Sequence, residues 1–166
     1  MKGKIKYITL LALIIGACTH QKEETNISTD KHASVAQHED IWPLGQKGSA
    51  EFFTGDAYHY PLHAPDSIYN SLVGNVVFHP TARSNWHTHP GGQILIITAG
   101  KGYHQIEGQP VDTLHKGDVV HCPPNTRHWH GAAPDSSLYQ MYIVPKTDLG
   151  IVNWQEVVTD KEYYQQ

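Results

Sequence analysis

The amino-acid sequence predicts an all-β fold, a sandwich or barrel built from short strands. Apolar and β-branched runs of about five residues recur at a spacing of roughly 8–12 residues, with turn residues between them. The chain has 166 residues with 10 prolines and 14 glycines, which suits one globular domain with many turns. A helical pattern is suggested only for the C-terminal residues 154–164.

Each strand is predicted from an apolar run between turn residues. Residues 93–98 form a continuous β-branched run that is too short for a core helix. The Gly-Lys-Gly segment 100–102 is predicted to turn the chain before the next strand. The predicted strands are, in order, 51–54, 58–62, 69–79, 93–98, 103–107, 111–114, 119–122, 128–131 and 138–144.

The N-terminus has the pattern of an export signal. Three lysines precede an apolar stretch, residues 7–15, that is too short to span a bilayer comfortably. The small residues before Cys18 resemble the lipobox of bacterial lipoproteins, which implies cleavage after residue 17 and a lipid on Cys18. Residues 1–17 are therefore predicted to be a lipoprotein signal peptide, and the polar residues 18–40 a flexible tether. The protein is predicted to be exported and lipid-anchored to a bacterial membrane, on the periplasmic side or at the cell surface.

Two alternatives remain open for the cysteines. A plain secretory peptide would leave Cys18 without a special role. Cys122 follows an apolar run and is predicted to be a small core residue, although a disulfide between Cys18 and Cys122 is also compatible with the sequence.

Two histidine-rich regions predict a metal site. Side chains two residues apart on a strand share a face, so His87 and His89 are predicted to project together. Gln93 has the same parity, and the Pro-Gly-Gly insert before it predicts a bend or bulge. His128 would supply a third imidazole from another strand, and His130 shares its parity. The pattern predicts one divalent metal inside a small barrel.

The two regions resemble the two sequence motifs of the cupin family. The first motif is matched at His87, His89, Gln93 and Gly100, and the second at Gly117, Pro123 and His128. The chain departs from the motifs at Thr81, Asn125 and Ala132, and it has Gln93 where the family pattern has an acidic residue. The resemblance covers residues 69–144 and, more loosely, residues from 41 onward. It implies a cupin double-stranded β-helix, or jelly-roll barrel, over residues 41–166 with its core at 69–144.

Within that family the chain is similar to manganese-dependent hydroxynitrile lyases of the (R)-mandelonitrile lyase type and to cupins related to carboxymuconolactone decarboxylase. The resemblance implies that the metal ligands are His87, His89, Gln93 and His128, and that His130 has an active-site role. It implies manganese as the metal, with iron, nickel, zinc and cobalt as alternatives. The lyases often carry a further histidine at the position of Gln140.

Three imidazoles and one amide are neutral ligands, so a divalent ion among them keeps its full charge and acts as a Lewis acid. The predicted function is a metal-dependent, lyase-like enzyme that acts on a small hydroxyl- or carbonyl-containing substrate. His130 is predicted to move a proton as general acid or base. The predicted pocket residues are Val76, Phe78, Gln140 and Tyr142.

Two other functions fit the same residues. One is an iron-dependent cupin oxygenase, although a ligand set without a carboxylate makes a ferric state harder to reach. The other is a cupin that binds a small ligand without catalysis. The formal net charge of −4, with no basic cluster outside the N-terminus, argues against a nucleic-acid partner. The predicted partners are a small-molecule substrate and, through Cys18, a membrane; a homo-oligomer is compatible, since cupins commonly pair through sheet edges.

Overall fold

The computed structural model describes residues 41–164, which are rich in β-strands. The predicted signal peptide, the lipidation at Cys18 and the tether at 18–40 lie outside these residues. None of the helices within 41–164 has the length and apolar character that a membrane crossing requires. The strands are β1 Gln46–Lys47, β2 Phe53–Thr54, β3 Ala57–His63, β4 Ser71–Phe78, β5 Arg83–Ser84, β6 His87–Thr88, β7 Gln93–Ile106, β8 Asp112–His115, β9 Val119–Cys122, β10 His128–Ala132, β11 Leu138–Pro145 and β12 Asn153–Trp154. A 3₁₀ turn, Thr147–Leu149, and one short helix, α1 Asp160–Tyr164, follow β11.

The strands pair antiparallel in the curled order β1-β3-β4-β11-β7-β10-β5-β2. The remaining strands lie off this order, with β8 and β9 paired to β7, and β6 paired to both β10 and β12. The prediction of an all-β jelly-roll barrel is confirmed. The predicted strands agree with observed ones to within a few residues, and Val119–Cys122 agrees at both ends, whereas the short strands β1, β5 and β12 were not predicted.

The long strand β7 joins the two halves of the barrel. Its first part pairs with β9 and β11, and its second part pairs with β8 and β10. The predicted turn at 100–102 is wrong, because the chain bends there without leaving the ladder. Gly100 adopts a φ of +77°, and a Cβ atom there would collide with the carbonyl of Ser137. A glycine in this conformation bends a strand, as at a bulge, and lets it continue into the other sheet.

The C-terminal helix is shorter than predicted. Trp154 belongs to β12, and the helix begins only at Asp160. Thr159 and Glu162 form a capping box, since the Glu162 carboxylate accepts from the Thr159 amide at 2.7 Å and the Thr159 hydroxyl accepts from the Glu162 amide at 3.2 Å. These bonds satisfy the amides of Thr159 and Glu162 and fix the starting point of the helix. The prediction of a helix over 154–164 therefore holds for its last turn only.

Two apolar clusters fill the fold. The larger lies between the two halves of the barrel and includes Phe78, Leu95 and Leu138, each fully buried. The smaller contains Trp86, Trp129, Val158 and Tyr163, where α1 covers the barrel wall.

We expect Leu95→Ala to lower the free energy of unfolding by about 2–5 kcal/mol, because Leu95 is fully buried and its truncation leaves a cavity. Leu149→Ala is the matched control, since Leu149 is 58% exposed, and it should cost less than about 0.5 kcal/mol. Urea unfolding of both variants measures the difference. Equal losses would contradict the described core.

Candidate metal centre

Strand pairing places His87 and His128 opposite each other on neighbouring strands. The two residues are direct cross-strand partners in the β6–β10 ladder, and their ring centroids lie 4.3 Å apart. His130 lies two residues further along β10 on the same face, with its ring centroid 5.3 Å from that of His87. The ligand nitrogens of these three buried histidines lie within 4.8 Å of one another. The barrel interior therefore holds a three-histidine site of the kind that binds a metal ion.

His89 and Gln93 reach the same region from a tight turn after β6. The strand ends at Thr88, so His87 and His89 do not lie on one strand as predicted. Gly92, at a φ of +85°, donates its amide to the His89 carbonyl at 3.0 Å and returns the chain inward. Gln93 then starts β7, and its Oε1 lies 3.0 Å from His128 Nε2. The His89 ring lies 5.1 Å from the His87 ring and 5.6 Å from the His128 ring.

Backbone carbonyls orient three of the four histidine rings. His87 Nδ1 lies 2.9 Å from the Asn85 carbonyl, and His128 Nδ1 lies 2.8 Å from the Thr126 carbonyl. His89 Nδ1 contacts a distant carbonyl, that of Ile151, at 2.6 Å. A carbonyl can only accept, so each Nδ1 carries the proton and each Nε2 presents a lone pair. The Nε2 of His89 is buried and has no hydrogen-bond partner among residues 41–164.

The contact between His128 and Gln93 fits a shared cation. With its proton on Nδ1, His128 has a lone pair on Nε2, and the amide oxygen of Gln93 faces it at 3.0 Å. Two hydrogen-bond acceptors repel each other at this distance unless a cation binds both of them, or unless the amide rotates so that its nitrogen faces the ring. Two donor atoms each about 2.1 Å from one ion, and at right angles, lie about 3.0 Å apart. His128 and Gln93 are thus placed to share a divalent metal, whereas the group of three ligand nitrogens within 4.8 Å of one another contains His130 and not the predicted ligand His89.

His130 has a different environment from the three other histidines. Its Nδ1 receives a hydrogen bond from the Gln140 amide nitrogen at 2.9 Å, which puts its own proton on Nε2. Its backbone amide donates to Ser84 Oγ at 3.2 Å. Gln140 is fully buried, and its Oε1 has no partner among the described residues. His130 is therefore held by a side-chain amide that can rotate to present either its nitrogen or its oxygen. Backbone carbonyls, which can only accept, hold the other three rings.

Burial keeps the histidines uncharged. It lowers the pKa of His128 to about 3, and it holds the pKa of His87 and of His130 well below the ordinary value, with neighbouring histidines adding to the effect. Burial also lowers the pKa of His89. Neutral imidazole is the form that binds a metal, so protons compete weakly at this site.

A cavity of about 320 Å³ opens beside the cluster. The predicted pocket residues Val76, Phe78 and Tyr142 line it, whereas Gln140 contacts His130 instead. No Asp or Glu occurs among its described lining residues. Sequence reasoning missed Phe53, His59 and Trp154 as lining residues. The alternation of side chains along β3 could have indicated that His59 faces inward. The sequence does not show, however, which strand pairs with β3.

A buried pair behind the cluster was also missed. His104 is the cross-strand neighbour of His130, and its ring centroid lies 5.7 Å from that of His128. Burial lowers the His104 pKa to about 4 and raises the Cys122 pKa to about 12. The thiol therefore keeps its proton, and its Sγ lies 3.3 Å from His104 Nε2. Cys122 is a buried core residue, as predicted.

Comparison with known proteins gives consistent results. Residues 74–144 match the family described as the Cupin domain. An (R)-mandelonitrile lyase from Granulicella tundricola is 48% identical over 120 residues, which cover 70% of this chain and 89% of that protein. The crystal structure of a cupin-like protein from Thermotoga maritima is 49% identical, with a TM-score of 0.74, and covers 75% of this chain and 95% of that one. A cupin 2 conserved barrel domain protein from Rhodopseudomonas palustris shares the fold at 21% identity and a TM-score of 0.55, covering 72% of this chain and 78% of that one.

Loss of a residue that only hydrogen-bonds a metal ligand weakens metal binding by roughly 10–100-fold. We expect His89→Ala to weaken manganese binding by more than this. The reason is that the variant removes a buried Nε2 lone pair that has no partner in the part of the chain that the structure describes. His115→Ala is the matched control, because His115 is exposed. Competition with a chromophoric chelator measures both affinities. If both variants bind as the wild type does, His89 is not a ligand.

Stability of the metal-free protein should fall as the pH drops from about 6.5 to about 4. In this range the unfolded chain protonates His104 while the folded chain, whose His104 pKa is about 4, does not. His104→Gln should therefore reduce the slope of unfolding free energy against pH by up to about 1.4 kcal/mol per pH unit. His115→Gln, at an exposed position, is the control, and urea titrations across this range give the slopes. An unchanged slope in His104→Gln would be evidence against the buried neutral state.

Proposed function

The chain belongs to the cupin family, and on that premise we propose that it is a metal-dependent enzyme of the hydroxynitrile lyase type. Its substrate is a small molecule with a hydroxyl or carbonyl group. His87, His89, Gln93 and His128 hold the metal, and manganese is the proposed ion. The 48% identity to a protein named (R)-mandelonitrile lyase supports the reaction class.

The observation that carries this proposal is the fixed orientation of three imidazoles beside an apolar cavity. Backbone carbonyls hold Nδ1–H of His87, His89 and His128, so their Nε2 lone pairs are available to one ion. A divalent metal held there supplies Lewis-acid stabilisation of negative charge on a substrate oxygen. The ligand set contains no carboxylate, which favours this chemistry over the oxygen activation of carboxylate-containing iron sites.

The cavity favours a neutral, largely apolar substrate. Its volume of about 320 Å³ suits a small molecule, and apolar side chains such as Val76, Phe78 and Val144 line it. Lys47 lies at the edge and is paired with Asp56 at 2.6 Å. Away from the metal ligands, a charged substrate group would lose its hydration without gaining an unpaired counter-charge from the described lining residues.

His130 is the proposed proton carrier. Burial keeps it neutral, and a neutral imidazole can accept a proton. With the Gln140 amide nitrogen on Nδ1, His130 has a proton to donate from Nε2. If the Gln140 amide rotates, its oxygen accepts from Nδ1–H, and Nε2 then has a lone pair that can accept a proton. Gln140 can therefore support both directions of a reversible reaction.

The cleavage of a cyanohydrin follows from these roles. His130 takes the hydroxyl proton, the oxygen electron pair forms the carbonyl, and the bond to the nitrile carbon breaks. Cyanide leaves with that electron pair and then receives the proton, so atoms and charge balance. In the reverse direction His130 returns the proton to the oxygen as cyanide adds to the carbonyl.

The test is a screen of racemic cyanohydrins with the manganese-loaded protein, run with and without oxygen. We expect release of aldehyde and cyanide that does not depend on oxygen. His130→Ala should retain the metal and reduce kcat by about 100-fold or more, as loss of a general acid–base does. Elemental analysis separates metal loss from catalytic loss, and His115→Ala is again the exposed control.

Two outcomes would reject the lyase. Turnover that disappears without oxygen and returns with it indicates a cupin oxygenase. Binding of substrate without turnover, and with the same affinity in His130→Ala, indicates a ligand-binding cupin.

A further inference from the structure

The cavity has a second polar group that the proposed reaction does not use. His59 on β3 and Tyr142 on β11 both line the cavity, and His59 Nε2 forms a short hydrogen bond with Tyr142 Oη. Their rings stack with centroids 5.5 Å apart and an interplanar angle of 20°. The surrounding lining residues include the apolar Leu72, Val76 and Val144. His59 is partly buried and Tyr142 is buried, so the polar atoms of this pair face an apolar wall where a further hydrogen-bonding partner is favourable.

The backbone is arranged so that this pair can form. Gly74 on β4 lies between the two strands and is the cross-strand partner of Tyr142. A Cβ atom at Gly74 would collide with the Tyr142 phenol oxygen, so the phenol lies directly over the glycine and reaches across to His59. A glycine inside a strand commonly marks such a close approach. The pair is therefore a built feature of the cavity wall.

The pair lies away from the reacting centre. Gln140, which holds His130, precedes Tyr142 by two residues on the same inward face of β11. Residues two apart on a strand are separated by about 7 Å. A substrate that reaches both His130 and Tyr142 therefore needs polar groups at two ends of an apolar body.

The hydrogen-bonding capacity of the pair indicates which group it takes. Burial lowers the pKa of His59 and raises the pKa of Tyr142 to about 12, so both are neutral near pH 7. If Tyr142 donates to Nε2, the phenol oxygen can still accept; if Nε2–H donates, the phenol can still donate. A hydroxyl group satisfies either arrangement, because it both donates and accepts. A carboxylate would lose hydration at a neutral pair.

On this basis we infer that Tyr142 and His59 form a second subsite, which binds a neutral hydroxyl group at the end of the substrate remote from the metal ligands. The inference rests on the proposed function only in placing the substrate's reacting end at His130. The preferred substrate is then an apolar, ring-sized molecule with a hydroxyl at each end, or a carbonyl at one end and a hydroxyl at the other.

The experiment compares the binding of three probes to the manganese-loaded protein by calorimetry, without turnover. The probes are 4-hydroxybenzyl alcohol, 4-methylbenzyl alcohol and 4-(hydroxymethyl)benzoate. Wild type should bind the hydroxyl probe about 3- to 10-fold more tightly than the methyl probe, as one net hydrogen bond allows. The carboxylate probe should gain nothing from the neutral pair, so its affinity should stay within about twofold in Tyr142→Phe.

Tyr142→Phe should abolish the preference and leave the methyl-probe affinity within about twofold. Tyr60→Phe is the matched control, because Tyr60 lies on β3 beside His59 but does not line the cavity, and it should keep the preference. Gly74→Ala is an independent variant that displaces the phenol, and it should reduce the preference as well. Thermal melting confirms that each variant is folded.

The inference is overturned if wild type shows no preference, if the preference persists in Tyr142→Phe, or if the hydroxyl probe does not bind up to its solubility limit. If wild type prefers the hydroxyl probe but does not turn over cyanohydrins, only the lyase proposal is rejected. If wild type turns over cyanohydrins but shows no preference for the hydroxyl probe, only the subsite is rejected.

Discussion

The structure depends on the hydrogen bonds between histidine Nδ1 atoms and backbone carbonyls. His87 and His128 each donate to a carbonyl two residues earlier in the chain, so these bonds form as soon as the local backbone is set. His89 donates to the carbonyl of Ile151, which follows β11 and brings the C-terminal segment over the site. A donor tied to a carbonyl leaves the opposite nitrogen as a lone pair, and this is what makes the cluster a ligand set.

The same arrangement has a cost for folding. The imidazoles of His87, His89, His128 and His130 are buried within a small volume, and the Nε2 of His89 has no partner among the described residues. Burial disfavours the charged form of each ring, since the described residues that line the cavity include no carboxylate to pair with an imidazolium. A divalent cation would satisfy the lone pairs and offset this cost, so binding of the metal and stability of the fold are coupled.

Hydrogen bonds to histidines also organise the cavity beside the cluster. Strand β11 carries Gln140 and Tyr142 on one inward face, and each contacts a histidine on another strand. One contact holds His130 beside the ligand set, and the other places a neutral pair within an apolar wall. A single strand thus organises both ends of the cavity, and its position depends on pairing with β4 and β7.

The sequence predicted strands correctly where the pattern of apolar residues lay within a single strand. The apolar run of β9 and the alternation of β11 gave strands close to those observed, because side-chain parity is a local property. The turn expected at 100–102 failed because Gly100 bends β7 while its neighbours stay paired, and pairing is not visible in one segment. The helix expected from Trp154 failed because Trp154 pairs with His87 in β12.

The sequence alone determined the all-β class, the four proposed ligands and the histidine beside them, since these follow from spacing and from the cupin motifs. Tertiary structure decided which carbonyl orients each ring, how Gln140 meets His130, and that His59 meets Tyr142. These contacts join segments far apart in the chain, and they form only when the strands take one particular register.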